Sequence, residues 1–157
     1  MGINNEIGSV FKISEYAAII KKYSSAFFHV DGVQMLGKHD ISLRQVDAMS
    51  FSAHKINGLK GSGLLVLKAQ VPFMPLIPGG QQEFGKRGGT LNSIGAIVWA
   101  KTLRLALDSR KSFDYVRDLW DYLWVCFENV EGVIINSPKN GSPYIFNLSV
   151  VNVGSVI

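Results

Sequence analysis

Residues 49–63, MSFSAHKINGLKGSG, constrain the fold of this chain more than any other stretch. Ser50, Ser52 and His54 occupy every second position there. Successive side chains of a strand point to opposite faces, so an extended backbone would bring these three polar groups to one face of a sheet. Lys55 follows at once, and a glycine-rich turn then leads into an apolar run. This order predicts a strand, a functional loop and a second strand.

A lysine at such a strand end can serve as a nucleophile. Burial and neighbouring dipoles disfavour the charged form of an amine, and the free amine of Lys55 could then condense with a carbonyl compound. Hydroxyl groups, an imidazole and the free backbone N–H groups of a glycine-rich turn would suit a phosphate beside it. The alternative is an ordinary strand end followed by a solvated basic hairpin.

A second stretch, residues 26–34, favours the functional reading. Its apolar run ends in Asp31, and Gln34 follows three positions later. In an open parallel sheet, ligands bind at the carboxyl ends of the strands, so these side chains should meet Ser52, His54 and Lys55. An acid, an amide, hydroxyls, an imidazole and a lysine match what pyridoxal phosphate needs, a carboxylate for its pyridinium nitrogen and a lysine for its aldehyde.

Four segments occur in an order that resembles a known family. They are NNEIG at 4–8, HVDGVQ at 29–34, SFSAHK at 50–55, and GGQQE with RGGT at 79–83 and 87–90. The chain is similar to the cysteine desulfurase (NifS-like) branch of the class V aminotransferases, pyridoxal-phosphate enzymes of fold type I. The resemblance covers about the first two thirds of the chain. It implies an α/β fold, with part of a large domain whose sheet is mostly parallel and the start of a small α+β domain.

The resemblance also implies roles for individual residues. Lys55 would be the catalytic residue, holding the cofactor as the internal aldimine, and Asp31 would pair with the pyridine nitrogen. Gln34 would bond the ring hydroxyl, and Asn5 would lie near that hydroxyl and the substrate.

The phosphate contacts implied by the resemblance come from two parts of the chain. Ser52 and His54 would contact the phosphate, and Thr90 would reach the phosphate of the other subunit across a dimer interface. Gly88 stands where the family often has serine. The spacing between the aspartate and the lysine is slightly shorter than in the family, which predicts a short surface loop at 39–45.

The implied reaction converts L-cysteine to L-alanine and leaves its sulfur as an enzyme-bound persulfide. A homodimer, a sulfur-acceptor protein and the cofactor pyridoxal 5'-phosphate go with it. Another class V enzyme, such as a selenocysteine lyase or an aminotransferase, is the alternative activity. A third possibility is a non-catalytic chain that acts only in association. The family architecture extends beyond this chain at both ends, so an internal fragment that is inactive alone is the expectation.

Composition limits the remaining classes. The 157 residues are 47% hydrophobic and 18% charged, which suits a globular interior. A net charge of +4 without a basic cluster argues against nucleic acid as a partner, and no apolar run is long enough for a membrane span. The single cysteine, Cys126, suits a reducing compartment, so we expect a cytoplasmic protein. Its place in a helical apolar pattern predicts a buried structural thiol.

The other segments complete the expected architecture. Residues 1–107 would form a partial cofactor-binding domain with a connecting helix, and residues 108–157 would begin the small domain. Ser14 should cap a first helix, and His29 should be a core residue of its strand. Apolar periodicity predicts helices over about 92–107 and from 112, and strands over 132–135 and 144–151.

Overall fold

The computed structural model describes residues 1–108 and 112–153. Helices and strands both occur, as the sequence predicts. The helices and strands are α1 (Ile13–Tyr23), β1 (His29–Asp31), β2 (Ala48–Ser52), β3 (Gly63–Leu67), α2 (Ser93–Asp108), α3 (Phe113–Phe127), β4 (Val133–Ile135) and β5 (Leu148–Val150). Short 3-10 helices lie at Ala53–Ile56 and Gln82–Gly85. Within the described ranges, no helix is long and apolar enough to cross a membrane.

The first sheet has the strand order β1-β2-β3. Strands β1 and β2 run parallel, with Val30 opposite Met49 and Asp31 opposite Ser50. Strand β3 returns antiparallel to β2 after the glycine-rich turn, so that Phe51 lies opposite Leu64. The sheet is therefore mixed, and its parallel pair is the part that brings two carboxyl ends of strands together.

The core lies on one face of this sheet. Val30, Met49 and Phe51 are buried, and they belong to a cluster that includes Trp99 and Ala106 of α2. In β2 the buried Met49 and Phe51 alternate with half-buried Ala48, Ser50 and Ser52, as the period-two pattern predicts. Residues of α2 thus contribute to the core on the apolar face, and the polar side chains of β1 and β2 lie on the opposite, more exposed face.

Helix α3 and the β4-β5 hairpin form a second cluster. Trp120 is 1% exposed, stacks on Trp124 at 5.0 Å between ring centroids, and meets the edge of Phe146 at 5.6 Å. Its Nε1 donates to the carbonyl of Ile145 at 3.3 Å. Strands β4 and β5 pair antiparallel, which agrees with an α+β arrangement. A domain boundary at 107/108 remains a prediction.

Three expectations about individual residues are wrong. Helix α1 begins at Ile13 after Lys12, which makes no side-chain capping bond, so Ser14 lies inside the helix and does not cap it. His29 is exposed because it shares the open face of β1 with Asp31. Cys126 is exposed, since α3 turns its Trp120 and Trp124 side inward and residue 126 falls on the opposite side.

Candidate functional site

The open face of the parallel strand pair carries the polar residues of the candidate site. His29 and Asp31 alternate with buried Val30, and Ser50 and Ser52 alternate with buried apolar residues of β2. The register aligns Asp31 with Ser50, so the carboxylate and the hydroxyls share this face. His29 Nε2 lies 3.2 Å from Ser50 Oγ, within hydrogen-bond distance. The sheet therefore collects these polar groups where β1 and β2 end.

The backbone holds the Asp31 carboxylate at the very end of β1. The backbone carbonyl of Asp31 accepts a hydrogen bond from the Gly2 N–H at 2.8 Å. The next residue, Gly32, donates its N–H to the Ser50 carbonyl at 2.9 Å. The side-chain Oδ1 of Asp31 accepts a hydrogen bond from the Val33 N–H at 2.9 Å, an Asx-type contact that begins the following turn. The Asp31 side chain is therefore exposed on the open face, while hydrogen bonds hold its backbone and one of its carboxylate oxygens in place.

Lys55 lies in a 3-10 helix and not on the strand. Strand β2 ends at Ser52, so the alternation predicted to reach His54 stops one step earlier. Ala53 and Ile56 are buried and anchor the short helix in the core with Trp99, whereas His54 and Lys55 between them are exposed. Asn57 ends the helix in the left-handed region at φ 65°. The tight helix thus presents Lys55 beyond the strand end while its neighbours hold it in place.

Gln34 accepts a hydrogen bond from Lys38, a residue that the sequence analysis did not predict as part of the site. Lys38 Nζ donates to Gln34 Oε1 at 3.3 Å and lies 5.7 Å from the ring centroid of Tyr144. Burial lowers the pKa of Lys38, and the charge of Lys55 lowers it further. Gln34, Lys38 and Lys55 are therefore electrostatic neighbours. The i,i+4 spacing of Gln34 and Lys38 was the available sequence signal, but it identifies a contact only if the turn is helical.

Asn5 and Thr90 are less closely connected to this group. Asn5 lies in the turn at 5–7, where its Nδ2 donates to Glu6 Oε1 at 2.7 Å. Thr90 is exposed in the segment before α2. Within residues 1–108 and 112–153, no hydrogen bond joins either side chain to the predicted cofactor residues. Strand register and the His29–Ser50 contact connect the groups at the ends of β1 and β2, whereas no described hydrogen bond connects Asn5 or Thr90 to them.

The glycine-rich loop before α2 is tightly folded. A Cβ on Gly88 would lie 2.9 Å from both Cα and N of Gly79 and from the carbonyl oxygen of Pro78. The Gly88 N–H donates to the Ile77 carbonyl at 2.8 Å, and Arg87 donates to the Gly88 carbonyl at 2.9 Å. Backbone crowding thus explains why glycine stands at position 88, where a larger residue would separate the two loop segments.

The donor set favours an organic ligand. In the two described segments, no group of three histidine, cysteine, aspartate or glutamate side chains could hold a metal ion. The open face instead offers a carboxylate, hydroxyls and an imidazole, with an amine and an amide next to them. These groups match the polar parts of pyridoxal phosphate.

Comparison with known proteins identifies the family. The model for the class-V aminotransferases matches residues 1–156. A cysteine desulfurase of Sinorhizobium fredii is 46% identical over 110 residues, which is 69% of this chain and 28% of that protein. The cysteine desulfurase IscS of Buchnera aphidicola subsp. Acyrthosiphon pisum is 40% identical over 157 residues, covering 95% of this chain and 38% of that protein.

Solved structures give the same result. A NifS-like protein from Rickettsia africae superposes with a TM-score of 0.90 at 29% identity, covering 97% of this chain and 43% of the other. Another NifS-like protein gives a TM-score of 0.88 at 34% identity and covers 98% of this chain and 43% of the other. The chain spans less than half the length of these relatives. Together the matches show that it belongs to the class-V aminotransferase family, in its cysteine desulfurase (NifS-like) branch.

Proposed function

We propose that this chain forms part of the pyridoxal-phosphate site of a cysteine desulfurase. The observation that carries the proposal is the β1-β2 register, because it aligns Asp31 with Ser50 on an open face just before the helix that presents Lys55. The members of the matching family depend on pyridoxal phosphate. When bound, that cofactor supplies an aldehyde for a lysine amine and a ring that accepts electrons from the substrate.

Each residue would hold one part of the cofactor. Lys55 supplies the amine, and Asp31 supplies a carboxylate that accepts a hydrogen bond from the protonated ring nitrogen. The short helix leaves Lys55 exposed and not buried as the sequence argument expected, so an incoming aldehyde can reach its amine. The Val33 N–H bond to Oδ1 fixes the carboxylate before the cofactor arrives.

The remaining contacts would orient the cofactor. Gln34 donates to the ring hydroxyl, while Ser52 and His54 bind the phosphate. By the resemblance to the family, Asn5 would lie near the ring hydroxyl and the substrate, and Thr90 would reach the phosphate held by the second subunit.

The proposed reaction takes L-cysteine and a protein thiol to L-alanine and a protein persulfide. The carbon–sulfur bond of cysteine and the S–H bond of the protein thiol break, a sulfur–sulfur bond forms, and a proton is added to the former Cβ, which becomes the methyl group of alanine. A sulfur-acceptor protein then receives the terminal sulfur. The single cysteine of the chain suits a reducing compartment, which supports a cytoplasmic location.

A homodimer is the proposed assembly. The segment that leads into α2 exposes large apolar side chains, with Leu76 and Phe84 each 95% exposed and Met74 90% exposed. Ile94 and Ile97 extend this surface along α2 at 72% and 69% exposure. Such a surface usually marks an interface. We expect light scattering to give a dimer or higher oligomer, and a monomer over a wide concentration range would contradict this.

The cofactor assignment is tested by covalent trapping. The purified chain is incubated with pyridoxal phosphate, treated with borohydride and mapped by peptide mass spectrometry. The label should appear on Lys55, disappear in Lys55→Ala, and persist in Lys60→Ala, which removes an exposed lysine of the same loop. Equal labelling of Lys55, Lys60 and Lys68 would contradict a specific site.

The reaction is tested in a chimera. Residues 1–157 replace the matching segment of the Buchnera cysteine desulfurase, and alanine and sulfide are measured with cysteine as substrate. The chimera should form both products, and the same chimera with Lys55→Ala should form neither. Amino-group transfer without sulfide release would point instead to an aminotransferase.

A further inference from the structure

Lys38 occupies the turn that follows β1, on the side where Gln34 and Lys55 lie. Its ammonium donates to Gln34 Oε1 at 3.3 Å. A lysine ammonium offers only donors, whereas the glutamine amide has an oxygen that accepts and a nitrogen that donates. The contact therefore distinguishes the two ends of the amide and holds the oxygen towards Lys38.

The ammonium is kept in this position although two effects oppose it. Burial disfavours its charge, and the positive charge of Lys55 repels it, so the pKa of Lys38 is lowered. The face of Tyr144 lies 5.7 Å away and attracts a cation. Tyr144 is itself packed against Phe113 at 6.1 Å between ring centroids. A residue of the second cluster thus supports a cation beside the candidate site.

We propose that Lys38 is a positioning residue of the cofactor site and acts through Gln34. By holding Oε1, it leaves the amide N–H groups to donate to the ring hydroxyl of pyridoxal phosphate. The proposal rests on the proposed function, since it needs the cofactor ring beside Gln34. Tyr144 steadies the ammonium, so the second cluster contributes indirectly to cofactor orientation.

The test compares two cofactors that differ only at the ring hydroxyl. Dissociation constants are measured by absorbance titration for pyridoxal phosphate and for its 3-deoxy analogue. Lys38→Met should weaken pyridoxal phosphate about tenfold, as expected for the loss of one hydrogen bond with a charged partner, and change the analogue less than twofold. Lys38→Arg should recover part of the loss. Lys60→Met, the matched control, should leave both constants unchanged.

Two further measurements separate this role from folding. Lys38→Met should not lower the free energy of unfolding, because it removes a charge that burial and Lys55 disfavour. In the cofactor-free chain, the NMR signals of the Gln34 side-chain amide should broaden or shift in Lys38→Met and stay unchanged in Lys60→Met. These signals report the Lys38–Gln34 contact without any cofactor chemistry.

The outcomes distinguish the two proposals. Equal weakening of both cofactors in Lys38→Met, or no weakening of either, overturns the positioning role while labelling of Lys55 still supports the proposed function. Labelling that avoids Lys55 in the unmodified chain overturns the proposed function and the positioning role together. An unchanged Gln34 amide signal in Lys38→Met overturns the positioning role on its own.

Discussion

Replacement of Asp47 by asparagine tests how the polar contacts at the start of β2 hold the fold together. The Asp47 side chain is 5% exposed. Lys21 of α1 donates to its two oxygens at 2.9 and 2.8 Å, and the Phe28 backbone N–H donates to Oδ2 at 2.8 Å. Lys68, just after β3, lies 3.5 Å from Oδ1. One carboxylate therefore connects α1, the approach to β1 and the end of β3.

The contacts lower the pKa of Asp47 from 3.8 to about 2, chiefly through the hydrogen bond from Lys21 and then through the Phe28 N–H. Because the folded pKa is below the unfolded one, this stabilisation is fully present above pH 3.8 and is lost as the pH falls towards 2. The difference in pKa corresponds to about 2 kcal/mol. Lys21 is 48% exposed, so solvent screening reduces the expected contribution to about 1 to 2 kcal/mol.

Urea unfolding at about pH 7 and at several lower pH values measures this contribution. Asp47→Asn should lower the free energy of unfolding by about 1 to 2 kcal/mol at neutral pH without changing the denaturant slope. The deficit should shrink as the pH falls from about 4 to 2. Asp118→Asn, an exposed carboxylate of α3, is the control and should have little effect. A deficit that is absent at neutral pH, or that stays constant in acid, would refute the reasoning.

Three other changes probe separate parts of the fold. Trp120→Ala should lower the free energy of unfolding, measured in urea, by about 3 to 5 kcal/mol because it empties the centre of the aromatic cluster. Leu119 on the same helix is 46% exposed, so Leu119→Ala should lower it far less. Equal losses in the two variants would contradict this packing. Cys126 should react with a thiol reagent in the native chain within about tenfold of its rate in denaturant, since it is exposed, and strong protection would contradict that exposure. Gly88→Ala should destabilise the loop by about 1 to 3 kcal/mol because the added Cβ collides with the backbone of Gly79. The rate of proteolysis at the loop measures this effect. An unchanged rate would show that the loop accommodates the methyl group without loss of stability.

The strand β2 was predictable because its alternation is a local property of the sequence. Met49 and Phe51 are buried and Ser50 and Ser52 are less buried, as a period of two requires. The prediction failed one step later, at His54. The backbone there folds into a 3-10 helix, in which Ala53 and Ile56 are both buried in the core. Competition between local periodicity and tertiary packing decided this position.

Other residues depended on contacts that a single sequence does not display. Cys126 lies in an apolar helical pattern, but which side of α3 is covered depends on Phe146 from a later segment. Likewise, the ammonium of Lys38 contacts the ring of Tyr144, which lies more than a hundred positions away in the sequence. The carboxylate and the lysine of the candidate site were recognisable because Asp31 ends β1 and Lys55 comes soon after the end of β2, whereas the supporting contact of Lys38 comes from a distant part of the chain.

The parallel register of β1 and β2 makes the site respond very differently to two kinds of length change. An insertion among the exposed residues 42–45 alters a surface loop, and the entropic cost of a longer loop grows slowly with its length. A shift of one residue in β2 would instead exchange its faces, turning Ser50 and Ser52 towards Trp99 and pushing Met49 and Phe51 into solvent. Sequence drift can therefore insert residues at 42–45 at little cost, while the strand itself admits only substitutions.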